Sequence, residues 1–290
     1  MAVCNMCPRQ CGVDRDSGQM GFCHTPEDFL VSRIALHRWE EPPISGKNGS
    51  GAIFFGGCNL RCVFCQNKAI NTGERGQLIN EARLEKQIFR LVEEGAHNIN
   101  LVTPTHYTHH LAAFLGKIKS RLPVPVVWNC GGYESVEALR TLDGLVDIYL
   151  PDFKYHSSAL AEKYSHAADY PDTALAAVLE MFRQRGAARF DNDGMLQSGV
   201  VVRHLVLPGQ RHDSMAVLRT LASNLPVSDI RLSLMSQFTP DFVDKNAYPE
   251  LARRVTTMEY NSVLALADSL GFEGYRQARS SAVKTYTPDF

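Results

Sequence analysis

The chain has 290 residues, of which 44% are hydrophobic and 21% charged, with a formal net charge of −1. That length suffices for one domain of barrel size with a small appendage. A near-neutral balance excludes a global basic field and so argues against nucleic acid or an anionic membrane as partner.

No apolar run reaches the length of a membrane span. Met1-Ala2-Val3-Cys4 offers neither the charged nor the apolar region of an export signal. Seven of the eight cysteines fall at metal-ligand spacings rather than in a short secreted frame, so a reducing, cytoplasmic setting is expected.

In chain order, Cys4, Cys7, Cys11 and Cys23 come first, spaced C-x2-C-x3-C-x11-C among glycines and few apolar residues. Such a stretch cannot build its own core and needs a staple. Four thiolates suit either a structural zinc ion or an auxiliary iron–sulfur cluster, and the spacing leaves both open beside unmetallated thiols. Pro26, Pro42-Pro43 and the run from Ser45 to Ser50 mark loops, with Phe29 to Trp39 a connecting strand or extended piece. The expected division is therefore a metal-binding extension and linker over 1–50 and a main unit over 51–290.

From residue 51 onward strand and helix alternate. The strand candidates are 51–55, 98–102, 125–129, 146–150, 199–206 and 229–234, short and mostly apolar, as parallel strands covered on both faces should be. Helical stripes follow between them. Leu84, Ile88, Leu91 and Val92 share a face over 81–95, and Val263, Leu266, Ala267 and Leu270 share one over 257–270. Thr256 and Glu259 read as a capping box opening that last helix. Asp191 to Gly194 is a turn. The expected fold is α/β, a partial (open) (β/α)6 barrel of parallel strands carrying a small N-terminal four-cysteine extension.

In such folds ligands gather at the carboxyl ends of the strands. The first of these ends carries Gly56-Gly57-Cys58-Asn59-Leu60-Arg61-Cys62-Val63-Phe64-Cys65-Gln66-Asn67, three cysteines at C-x3-C-x2-C. A cubane cluster takes four thiolates, one per iron, so three leave one iron open, the mark of a catalytic rather than a structural centre. The chemistry that fits is a [4Fe–4S] cluster binding S-adenosylmethionine and reducing its sulfonium. The bland alternative is a loop of reduced or zinc-binding thiols.

The remaining strand ends supply partners for a zwitterionic cofactor. Asp152 and Lys154 lie two apart on one strand face and offer both signs; their bland reading is a rim salt bridge. His106, His109 and His110 stand at a helix start, where ordinary surface or capping roles outweigh metal ligation. Cys130 reads as a small buried residue, or as a thiol facing the pocket that donates a hydrogen atom.

The cluster loop resembles that of the radical S-adenosylmethionine superfamily. Cys65-Gln66-Asn67, Asp152-Phe153-Lys154 and Arg203 to Gly209 further resemble pyruvate formate-lyase activating enzymes, over about 51–270. The resemblance implies that Cys58, Cys62 and Cys65 hold the cluster, that Phe64 packs near the adenine, and that Asn67 sits near cluster and cofactor. Asp152 and Lys154 would hold the amino acid end, and Arg203 would line the cofactor or substrate side. It implies a flavodoxin- or ferredoxin-type electron donor and, in that branch, hydrogen abstraction from a protein glycine.

Three departures stand out. The branch's Gly-Gly-Glu after the second strand is replaced by Pro104-Thr105-His106, whose Thr105 hydroxyl and neutral His106 are candidate acceptors for the cofactor ammonium. Asn129 stands where that branch has an Asp near a monovalent cation, and Ser236-Gln237 where it has Tyr-His, leaving Gln237 as the candidate ribose contact. Two other readings remain: modification of a peptide, RNA or small metabolite, and a non-catalytic metal-binding protein on the same scaffold.

Overall fold

The structure is a computed structural model that describes residues 3–277. The end of the unit expected to reach 290, with its Thr285 to Phe290 tail, lies outside the described residues. In chain order the elements are β1 (Phe29–His37), α1 (Pro42–Ser45), β2 (Ser50–Phe55), β3 (Gln77–Ile79), α2 (Glu81–Glu93), β4 (Ile99–Val102), α3 (Thr108–Ile118), β5 (Val126–Cys130) and α4 (Val136–Arg140). There follow β6 (Ile148–Pro151), α5 (Ser158–Ser165), α6 (Tyr170–Arg185), β7 (Arg189–Phe190), β8 (Leu196–Leu205), α7 (Arg211–Asn224), β9 (Arg231–Met235), α8 (Thr257–Ser269) and β10 (Gly274–Arg276).

The sheet order is β10-β9-β8-β6-β5-β4-β2-β1-β3, with β7 hairpinned onto β8. From β2 to β10 every neighbour on this path is parallel, while β1 pairs antiparallel with β2 and β3. Among the described residues β10 and β3 do not pair with each other, so the barrel is open. All six expected strands are present. Three strands lie beyond the expectation: β10, which extends the parallel set, and the short β3 and β7. β1, expected as a connecting strand or extended piece, is a full strand of the sheet.

Alternation along the strands sends successive side chains to opposite faces. Val126 and Trp128 of β5, Tyr149 of β6, and Val200 and Val202 of β8 pack under the helices. Val127, Ile148, Leu150 and Val201 turn the other way, into the barrel, where they close around Ile44 of α1. Proline at the start of α1 costs no hydrogen bond there, and Asn98 Nδ2 bonds the Ile44 carbonyl at 2.7 Å. The short helix thus plugs one end of the barrel.

Local signals set the outer layer. Asn80 caps α2 by accepting from the Arg83 N–H at 3.0 Å, and Leu84, Ile88 and Leu91 are buried on the expected stripe. The Thr256–Glu259 capping box opens α8 as expected. No helix among the described residues is long and apolar enough to cross a membrane.

Candidate active site

β2 ends at Phe55, and the thiol loop begins at once. Gly57 has φ +79°, and a Cβ on it would sit 2.4 Å from the Cys23 carbonyl oxygen, so only glycine lets the loop leave the strand against the N-terminal segment. Cys58 Sγ accepts the Leu60 N–H at 3.4 Å, and Cys62 Sγ accepts the Ser165 hydroxyl at 2.9 Å. Cys58, Cys62 and Cys65 line one cavity.

Burial pushes the Cys58 thiol up and the Cys65 thiol up to about 12, with neighbouring cysteines adding to it and Lys154 opposing it. Bare Cys58 and Cys65 thiols stay protonated; coordination is what deprotonates such groups. Among the described residues no three His, Cys, Asp or Glu side chains are gathered as a single metal ion requires. A four-iron cluster instead spreads its thiolates, one to each iron. Three thiols lining one cavity are the donor set such a cluster takes when one iron is left open.

The same cavity brings together Phe64, Asn67, Asn129, Asp152, Lys154, Arg203 and Gln237. Asp152 Oδ2 accepts from Lys154 Nζ at 2.5 Å, and Oδ1 accepts from Arg203 Nε at 2.9 Å. Arg203 Nη2 donates to Asn129 Oδ1 at 2.6 Å. Burial alone would raise the Asp152 carboxyl, but the two cations outweigh it and hold it below the usual carboxylate range. For Lys154, burial is likewise outweighed, by Asp152, and its ammonium is held above its ordinary value. Phe64 packs against Tyr164 and Phe238, and Gln237 Nε2 bonds Gln66 Oε1 at 3.3 Å.

Thr105 and His106 are not brought to this cavity. The chain beyond β4 turns through a 3-10 helix at Thr105–Tyr107 that directs both into the packing. Thr105 Oγ1 donates to the buried Glu134 carboxylate at 2.5 Å, and His106 Nε2 bonds the Gly56 carbonyl at 2.9 Å. Thr103 lines the cavity instead. Its φ of +58° is a left-handed conformation that costs a β-branched residue about 1–3 kcal/mol, a strain typical of functional walls. The neighbouring histidines do not converge: His110 pairs with Glu27. Cys130 reaches the cavity wall although only 2% exposed.

Sequence reasoning missed Glu40. It enters from the linker between β1 and α1, and its Oε1 accepts from Asn100 Nδ2 and Asn129 Nδ2, both at 3.1 Å. Its Oε2 faces Arg203 Nη1 at 3.4 Å. His37 and Trp39 of the same segment also line the cavity. The adjacent Glu40-Glu41 between apolar stretches was the available signal, but only strand pairing places it in the barrel.

An open α/β barrel with three thiols on the first loop, facing a buried ion-pair network at the carboxyl ends of its strands, is the architecture of a metal-dependent enzyme. A model described as the radical SAM superfamily matches residues 52–221, and the chain belongs to that superfamily.

The protein MJ0674 of Methanocaldococcus jannaschii is 30% identical over 280 residues, 93% of this chain and 75% of that protein. Of solved structures, methylornithine synthase superposes with TM-score 0.50 at 16% identity, over 72% of this chain and 58% of that enzyme. The chain thus matches under two thirds of that enzyme's length, and the likeness speaks for the fold. A radical SAM methyltransferase from Sphaerobacter thermophilus gives TM-score 0.49 at 13% identity, over 80% and 69% of the two chains. Membership implies a [4Fe–4S] cluster, S-adenosylmethionine and its reductive cleavage.

Proposed function

We propose that this chain abstracts a hydrogen atom from a protein or peptide substrate, a glycine position in the manner of glycyl-radical activation being the leading case. When bound, the cluster supplies the electron that splits the cofactor sulfonium and frees a 5′-deoxyadenosyl radical. Cys58, Cys62 and Cys65 would hold that cluster, leaving one iron for the cofactor. Lys154 would take the cofactor carboxylate, and Asp152 its ammonium, by exchanging partners within their existing ion pair. Arg203 keeps Asp152 ionised and oriented. Phe64 and Phe238 exclude water beside the loop, and Asn67 and Gln237 offer amide contacts. An electron donor of flavodoxin or ferredoxin type would serve from outside.

The observation that carries this reading is the meeting of three thiols with Asp152, Lys154 and Arg203 in one cavity. Trp39, 57% exposed at that cavity, offers a macromolecular partner an aromatic anchor. The buried floor of Glu40, Asn100 and Asn129 favours a second reading, a small polar metabolite.

Anaerobically reconstituted protein with dithionite and S-adenosylmethionine should release 5′-deoxyadenosine. Extract from source cells grown on α-deuterated glycine, split into macromolecular and small-molecule fractions, separates the readings. Deuterium entering 5′-deoxyadenosine from the macromolecular fraction supports the first, and stimulation by the small-molecule fraction alone supports the second. No cleavage above a protein-free control would remove both.

A further inference from the structure

The N-terminal segment holds a thiol group that the proposed reaction does not use. Cys7 lies within Coulombic reach of Cys4, Cys11 and Cys23, and Cys4 within reach of Cys11 and Cys23. Each sulfur has an N–H directed at it: the backbone of Met6 at Cys4, that of Arg9 at Cys7, that of Phe22 at Cys11 (3.3 Å), and the Arg15 guanidinium at Cys23 (3.8 Å). A neutral thiol is a weak acceptor, whereas metal-bound thiolates are tuned by such donors.

Arg15 is the second, independent observation. It is 4% exposed, and its remaining partners are the Thr25 hydroxyl and carbonyl, the His106 carbonyl and the Tyr107 ring, 5.2 Å away. None of these is an anion, and among the described residues no carboxylate is paired with Arg15. A buried guanidinium without a counter-charge is costly. The neutral groups around it cannot supply one. Four thiolates on a metal core would.

The segment is also fastened to the active-site loop. Arg9 donates to the Asn59 carbonyl at 2.8 Å and to the Ser165 carbonyl at 3.0 Å, and its guanidinium stacks 4.0 Å from the Phe22 ring. Arg61 of the loop approaches the same ring at 4.9 Å.

We propose that Cys4, Cys7, Cys11 and Cys23 hold a second iron–sulfur cluster, closed by four protein thiolates, with Arg15 as its buried counter-ion. A four-iron core sets each thiolate on its own iron. The proposal stands apart from the reaction proposed above, because metal content alone reads it.

The test uses the full chain, reconstituted anaerobically with iron and sulfide, and a variant carrying Cys58→Ser, Cys62→Ser and Cys65→Ser. Wild type should hold about eight irons and the variant about four, with a paramagnetic signal on dithionite reduction. Wild type with about four irons, a variant with none, or one zinc per chain that iron does not displace would overturn it. In that variant background Arg15→Gln should move the cluster potential to more negative values, because reduction adds negative charge that Arg15 stabilises. Arg15→Lys should leave it near its starting value. An equal potential in all three would overturn the counter-ion assignment.

Discussion

Arg203 and Asp152 meet twice, once through a parallel backbone bridge and once through the Nε to Oδ1 bond of 2.9 Å. The bridge extends the β6–β8 pairing to the carboxyl ends of both strands, where the Phe153 N–H also bonds the Arg203 carbonyl at 2.8 Å. Arg203 at the same time reaches Asn129 on β5 and Glu40 from the linker. One guanidinium thereby ties β5, β6 and the β1–α1 linker together around Asp152, the proposed partner of the cofactor ammonium.

Replacing that guanidinium should be severe. Arg203→Met leaves Asp152 and Glu40 buried without their shared cation and should cost about 3–5 kcal/mol in urea unfolding. Arg203→Lys keeps the charge but gathers its donors on one nitrogen, which cannot span Asp152, Asn129 and Glu40 as the guanidinium does, so it should lose less stability while still weakening S-adenosylmethionine binding, measured by equilibrium dialysis.

Acid stability should depend on Asp152. Because its folded pKa is depressed, it stabilises the protein above the unfolded value of about 3.9. That contribution is lost as pH falls through the folded value. Asp152→Asn removes the titration, so the variant should be less stable at neutral pH but lose less than wild type on acidification. Denaturant midpoints across the acid range check this, and parallel curves would count against it.

Gly132 guards the same strand end. Its φ is +80°, and a Cβ would lie 2.0 Å from the Asp152 carbonyl oxygen, a backbone atom that cannot move without the site. Gly132→Ala should cost roughly 2–4 kcal/mol and lower S-adenosylmethionine affinity, seen together in thermal melts with and without the cofactor.

The plug should be structural. Ile44 is fully buried among barrel-interior side chains, so Ile44→Ala should cost about 2–5 kcal/mol. Iron content after reconstitution should be unchanged, since the thiol loop lies beyond its contacts.

The thiol loop, the six strands and the Asp152–Lys154 pair were legible because each is a local pattern: ligand spacing, apolar runs and alternation along one strand. Thr105 and His106 show the limit of that kind of reading. Their chemistry suited an acceptor site, yet the left-handed Thr103 turns the chain so that Thr105 meets Glu134 and His106 meets Gly56. Side-chain type says what a residue can do, whereas backbone dihedrals decide where it points.

By itself the sequence determined the alternating α/β order, the three-thiol loop and the four N-terminal cysteines, all encoded over a few consecutive residues. Only the tertiary structure decided that β1 joins the sheet and that Glu40 reaches the barrel interior to share Arg203 with Asp152. It also set Arg15 among the N-terminal thiols. Those placements depend on strand pairing and burial between segments far apart in the chain, and neither leaves a periodic mark in the sequence.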